Sequence, residues 1–135
     1  MSLVSNVTCK AKLVNRNEWV EGYFIKSLIG DISSIYLLKE NYDAVSEHDK
    51  TVYHNVDSNT LCRAIGCTDR NGHLLYEHDI ITMGLDKYAI RWNKEQLRFD
   101  FYSKSGYPVA GCNLPTLVGY CSLIGNEIDN PELLD

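Results

Sequence analysis

The sequence predicts a mainly β fold: a small barrel with an additional N-terminal β region and a short C-terminal helical turn. Three observations predict it. Short runs of alternating polar and apolar residues recur along the chain, polar turn chemistry separates them, and helical periodicity is nearly absent. The 135 residues, 44% of them hydrophobic, suffice for a packed core.

From the N-terminus, strand-like runs extend from Cys9 to Leu38. Val14-Asn15-Arg16-Asn17-Glu18 is a polar turn, and Trp19 to Ile25 follows as a strand. A second strand is expected at Ser34 to Leu38, beyond Gly30-Asp31. Lys39 to Ser58 is polar and weakly periodic, and reads as a long connection with one short strand at Thr51-Val52-Tyr53. The expected division is therefore an N-terminal β region and connection over 1–58 and a barrel over 59–135, packed as one compact unit.

The second half is better patterned. Leu61 to Ile65 and Tyr76 to Met83 flank Asp69-Arg70-Asn71-Gly72, and Lys87 to Trp92 alternates. Leu97-Arg98-Phe99-Asp100-Phe101 alternates again, placing Leu97, Phe99 and Phe101 on one face and Arg98 and Asp100 on the other. Asn113-Leu114-Pro115 is expected to open one helical turn, and Tyr120 to Ile124 to form a strand. At the C-terminus, Asn130 is expected to cap a short turn that Pro131 and Glu132 favour, with Leu133 and Leu134 pinning it to the sheet.

Charge and cysteine usage narrow the function classes. Thirteen Lys and Arg against 18 Asp and Glu give a net charge of −5, which argues against a general nucleic-acid binder. The acidic cluster Glu127, Asp129, Glu132 and Asp135 reads as a solvated face. Five dispersed cysteines, Cys9, Cys62, Cys67, Cys112 and Cys121, suit free thiols in a reducing cytosol. Lys10, Lys12, Arg16 and Glu18 interrupt any early apolar stretch, so no signal peptide is expected. No apolar run approaches the length of a membrane span.

The Asp69 to Gly72 turn has a physical reason at each position. Asp69 accepts backbone amide hydrogens, Asn71 tolerates the bridge or left-handed region, and Gly72 supplies the positive φ that returns the chain to the strand. Glu77-His78-Asp79 then interrupts an apolar run, as at a bend or bulge, and Asp79 is expected to anchor it. The stretch Ala64 to Ile81, with Gly66, Asp69, Asn71, Gly72, Tyr76, Glu77 and Asp79, resembles the signature of the YopX family, which reads roughly TGLKDKNGKEIYEGDIV. Ile124-Gly125-Asn126 and Asn130-Pro131-Glu132-Leu133-Leu134 resemble the family's ending, and Trp19-Val20-Glu21-Gly22-Tyr23 its early element. The resemblance implies a phage or prophage protein with an SH3-like barrel, and no established molecular function. It departs at Ile65 and at His78, which stands where the family has glycine and must either tolerate a positive φ or reshape the bend.

An EF-hand alignment over the turn lacks both charge anchors, since Cys67 and His78 occupy the positions of the first Asp and the last Glu. Cys62, Cys67, His73 and His78 are spaced too widely for zinc knuckles. Glu77, His78 and Asp79 do not converge if they alternate along a strand. Neither a nucleophile elbow nor a phosphate loop is present. Most of the aromatics Trp19, Tyr23, Trp92, Phe99, Phe101 and Tyr102 read as core, while Arg91, Arg98, Trp92 and Tyr102 are the candidate binding strip. The expectation is a non-enzymatic, cytoplasmic binding or assembly module without a cofactor or metal. Its partner would be a host or phage protein, or a second copy of itself, with nucleic acid disfavoured and no membrane contact. A nucleic-acid-binding barrel is the first alternative, and a metal-binding protein or enzyme the second.

Overall fold

The fold is taken from a computed structural model that describes residues 8–26, 33–37, 52–109 and 118–135. The helical turn expected at Asn113, most of the connection from Lys39, and Cys112 lie outside these residues. The chain divides into two compact units, 1–63 and 64–135. The division falls five residues beyond the expected one, because Cys62 and Arg63 still pair with the first strand.

In the first unit, β1 (Cys9–Lys12), β2 (Trp19–Lys26), β3 (Ser33–Leu37) and β4 (Val52–Asn55) form an antiparallel sheet in the order β4-β3-β2-β1. The start of β5 (Cys62–Thr68) pairs with the free side of β1. Alternation places Ala11, Val20 and Phe24 on one face, where they pack with Leu13, Val56 and Leu61. The polar turn closes as the sequence predicts, with the Leu13 amide donating to the Glu18 carbonyl and Asn15 in the left-handed region at φ 67°.

In the second unit, the rest of β5 pairs with β6 (Leu74–Tyr76). A register shift between Ala64 and Thr68 surrounds Gly66, whose φ of 90° explains the glycine there. The main sheet has the order β10-β7-β8-β9, from β7 (Asp79–Met83), β8 (Asp86–Asn93), β9 (Arg98–Tyr102) and β10 (Ser122–Asn126). All pairs are antiparallel. One face carries Ile81, Ile90, Phe101 and Leu123, which join Leu75 and Cys121 in the core. Tyr88 stacks on Phe101 with ring centroids 6.1 Å apart, and Trp92 meets Phe99 edge to face at 5.1 Å.

Mainly β architecture with almost no helix is thus the observed class. The described hydrogen-bond ladders form open sheets and no closed barrel. Two local expectations are corrected. Leu97 is 74% exposed with φ 56°, because it completes the turn before β9 instead of joining Phe99 and Phe101 on the core face. Glu77 and His78 form a turn between two separate strands, so strand alternation does not govern their directions.

Candidate functional site

Two carboxylate-centred clusters organise the second unit. The first is Asp69, only 4% exposed. Its Oδ1 accepts the amides of Asn71 at 2.9 Å and His73 at 2.8 Å, and its Oδ2 accepts that of Leu123 at 2.8 Å. The His73 ring lies 3.2 Å from the same Oδ2. Gly72, at φ 85°, donates its amide to the Asp69 carbonyl, as the turn chemistry predicts. Burial pushes the Asp69 pKa up, but the hydrogen bonds outweigh burial and hold it at about 2, below the ordinary 3.8. Asp69 therefore does more than shape its own turn. With the Arg70 amide, which donates to the Cys121 carbonyl, it ties the end of β5 to β10.

The second cluster is Glu127 with Arg91 and His78. Arg91 donates through Nε at 3.0 Å and through Nη2 at 2.5 Å to Oε1, and the His78 Nδ1 lies 2.9 Å from Oε2. Burial raises the Glu127 pKa, while the hydrogen bonds and charges of His78 and Arg91 outweigh it and bring it to about 2, from 4.5. The Glu127 hydrogen bond raises the His78 pKa, helped by the charge of Glu77 and opposed by burial and by Arg91. Glu127 is thus not on a solvated acidic face; its side chain is 18% exposed because Arg91 and His78 hold it inward.

His78 has φ 73°, so it tolerates the left-handed conformation instead of reshaping the bend. Its amide donates to the Ile90 carbonyl and its carbonyl accepts the Glu127 amide. Three contacts, two through backbone and one through the ring, hold the residue in place. Asp79 anchors the bend as expected, accepting the Tyr76 amide at 2.8 Å.

The family's C-terminal motif has an equally local cause. The Asn126 Oδ1 accepts the amides of Ile128 and Asp129 and turns the chain after β10. The chain then returns over the sheet, and Pro131–Leu134 form one 3-10 turn packed against β8. A Cβ at Gly125 would sit 2.6 Å from Leu133 Cδ1 and 2.7 Å from Asn130 Oδ1, so a side chain there would make Leu133 and Asn130 move aside. Asn130 makes no capping hydrogen bond, contrary to expectation, because its side-chain oxygen faces back toward Gly125 and the Asn126 amide.

The expected binding strip is divided between faces. The register places Arg91, Arg98 and Tyr102 on one face and Trp92 on the core side. Arg91 lies over the Tyr102 ring, 5.6 Å from its centroid, while Glu127 holds its charge. Arg98 donates to Asp100 at 3.0 Å, and Asn93 Nδ2 reaches the same carboxylate at 2.9 Å. Sequence reasoning missed both pairings. The i,i+2 spacing that sets Arg98 and Asp100 on one face offered a signal for the second; nothing local pointed to the first.

The thiols separate in the same way. Cys62 is buried in the first unit and donates to the Thr60 carbonyl at 3.3 Å, whereas Cys67 and Cys121 pack in the second core. Burial, with Asp69 and Cys67 beside it, pushes the Cys121 thiol up to about 11. Among the described residues, no three His, Cys, Asp or Glu side chains gather as metal ligands. Nor is any described helix long and apolar enough to cross a membrane.

These elements define an antiparallel, mainly β chain whose signature residues serve turns and long-range tethers. The YopX protein family matches residues 11–135, and the chain belongs to that family. A crystal structure of protein EF1440 from Enterococcus faecalis is similar to it, with a TM-score of 0.57 at 17% identity. That similarity covers 96% of this chain and 98% of the other, and shows a shared fold. No curated protein matches the chain.

Proposed function

We propose that this YopX-family chain is a prophage-encoded, non-enzymatic binding or assembly module of the bacterial cytoplasm, with an SH3-like barrel as its second unit. The observation that carries the reading is the use made of buried and half-buried carboxylates. Asp69 and Asp79 accept backbone amides, and Asp100 and Glu127 hold arginines, so these groups serve the fold. Family membership supports the prophage origin. The bonds from Asp69 and Arg70 to β10 support a barrel, because they join a strand end to the edge of the main sheet.

The partner is a host or phage protein, or a second copy. Cross-linking in the host followed by mass spectrometry, with light scattering of the purified chain, tests this. A reproducible stoichiometric complex or a defined oligomer is expected; a monomer without a cross-linked partner overturns it. Nucleic-acid binding is the second reading, favoured by the shared face of Arg91, Arg98 and Tyr102. It requires salt-dependent retention of DNA or RNA that is lost in R91A/R98A.

A further inference from the structure

Asn71-Gly72 is the one Asn-Gly step in the sequence. Both residues are exposed, and no heavy atom lies within 4 Å of where a side chain on Gly72 would begin. Such a step carries its own peptide chemistry. The nitrogen that follows an asparagine can attack the side-chain carbonyl carbon, and glycine offers that nitrogen without a side chain to shield it. In this turn, however, three consecutive amides are held by one residue. Asn71 and His73 donate to Asp69 Oδ1 at 2.9 Å and 2.8 Å, and Gly72 donates to the Asp69 carbonyl at 3.1 Å.

Those bonds oppose ring closure in two ways. The attacking nitrogen must give up its proton, which the folded turn commits to the Asp69 carbonyl. The Asn71 carboxamide must also swing over that nitrogen, whereas its Nδ2 is directed toward Ser122 Oγ on β10, 3.5 Å away. Asp69 is fixed in turn from β10, where the Leu123 amide donates to Oδ2 at 2.8 Å. The Arg70 amide adds a bond to the Cys121 carbonyl at 3.0 Å. Ring closure at Asn71 and docking of the β5 end on β10 therefore compete for the same stretch of backbone.

We propose that Asn71-Gly72 is a deamidation site that the Asp69 tether keeps closed, so that local opening of the tether exposes the chain to an irreversible modification. The Gly72 nitrogen loses its proton and bonds to Asn71 Cγ. The Cγ–Nδ2 bond breaks, and Nδ2 takes up a proton and leaves as ammonia. One water then opens the cyclic imide at either carbonyl and leaves aspartate or isoaspartate at position 71, with no oxidant or reductant involved. Either product sets a new carboxylate beside that of Asp69, and isoaspartate also adds one carbon to the main chain. The spacing that lets the amides of Asn71, Gly72 and His73 share Asp69 is then lost. A modified chain cannot restore the native tether to β10. The proposal does not depend on the binding-module reading.

The test is peptide mass spectrometry of the full chain incubated at pH 8, which reads the exchange of ammonia for water as a gain of about 1 Da at position 71. Deamidation should be at least about tenfold faster in urea than in the folded chain. Tenfold requires only about 1.4 kcal/mol, which the two amide bonds to the Asp69 carboxylate exceed. Asp69→Ala should bring the rate in buffer close to that in urea, and Asn71→Gln, whose longer side chain closes the ring far more slowly, should abolish the gain. Hydrogen exchange keeps the proposal testable if Asp69→Ala does not fold. In the native chain below the unfolding transition, deamidation should follow exchange of the Leu123 amide and run ahead of exchange in the core of β8. Chains deamidated in urea and returned to buffer should unfold at lower urea than unmodified chains. Equal rates in urea and buffer, a native rate in folded Asp69→Ala, deamidation that tracks only the core amides, or an unchanged urea midpoint each overturns the proposal.

Discussion

Replacing Asp69 by Asn tests the central tether of the second unit. The side chain keeps its shape but loses its charge, and one of its two acceptor oxygens becomes a donor. In the native turn the carboxylate takes amides on both oxygens, two on Oδ1 and that of Leu123 on Oδ2. An amide side chain that keeps its oxygen toward Asn71 and His73 sets its nitrogen against the Leu123 amide. Depression of the Asp69 pKa from 3.8 to about 2 corresponds to about 2 kcal/mol of stability at neutral pH. The unsatisfied Leu123 amide adds about 1 kcal/mol, so the total loss is about 3 kcal/mol.

The pH dependence gives the sharper readout. The folded pKa lies below the unfolded one, so the ionic contribution is complete above the unfolded value. It is lost as pH falls toward 2. Urea denaturation between pH 7 and pH 2.5, followed by Trp92 fluorescence in a Trp19→Phe background, measures both chains. The gap between native and D69N stability should narrow by about half over that range. Glu127 titrates in the same window but is common to both chains and cancels from the difference. A gap under about 0.5 kcal/mol at pH 7, or one that does not change with pH, would refute the reasoning.

Glu127→Gln should destabilise the second unit by about 1–2 kcal/mol and return the His78 titration, read by NMR, toward 6.5. The His78 contribution has the opposite sign to that of Asp69: it is present below the unfolded pKa and is lost as pH rises through the raised folded value. His78→Gly should be within about 1 kcal/mol of the native chain at pH 8, because relief at φ 73° offsets the lost Glu127 contact. Thermal unfolding at pH 8 measures both His78 variants, and His78→Val should cost more than about 2 kcal/mol, since a branched side chain resists that conformation. Gly125→Ala should cost about 1 kcal/mol and shift the Leu133 methyl resonances as the last turn lifts from the sheet; Leu133→Ala in the same chain should recover part of the loss.

The similarity to EF1440 spans both units at 17% identity, so the fold is shared by chains with few residues in common. Strand alternation and a few turn positions make that reasonable, since such constraints bear on residue type more than on identity. The charged clusters are a separate layer of this chain. His78 illustrates it: a residue in a conformation favouring glycine gains a hydrogen bond to Glu127 that glycine cannot make.

What could be read from the sequence was local. Period-two alternation marked β8 and most of β9, because neighbouring side chains on a strand meet opposite environments. Asp69, Asn71 and Gly72 marked their turn because its dihedrals and first hydrogen bonds lie within five residues. Pro131 marked the last turn for the same reason. Tertiary structure alone decided which like-looking charges meet. Arg91 finds Glu127 across 36 residues, His78 finds it across 49, and Asp69 reaches Leu123 across 54. Sheet order and the path of the returning C-terminal segment set those pairings. Any of the other carboxylates satisfies the local chemistry of Arg91 equally well, but only Glu127 is carried to it.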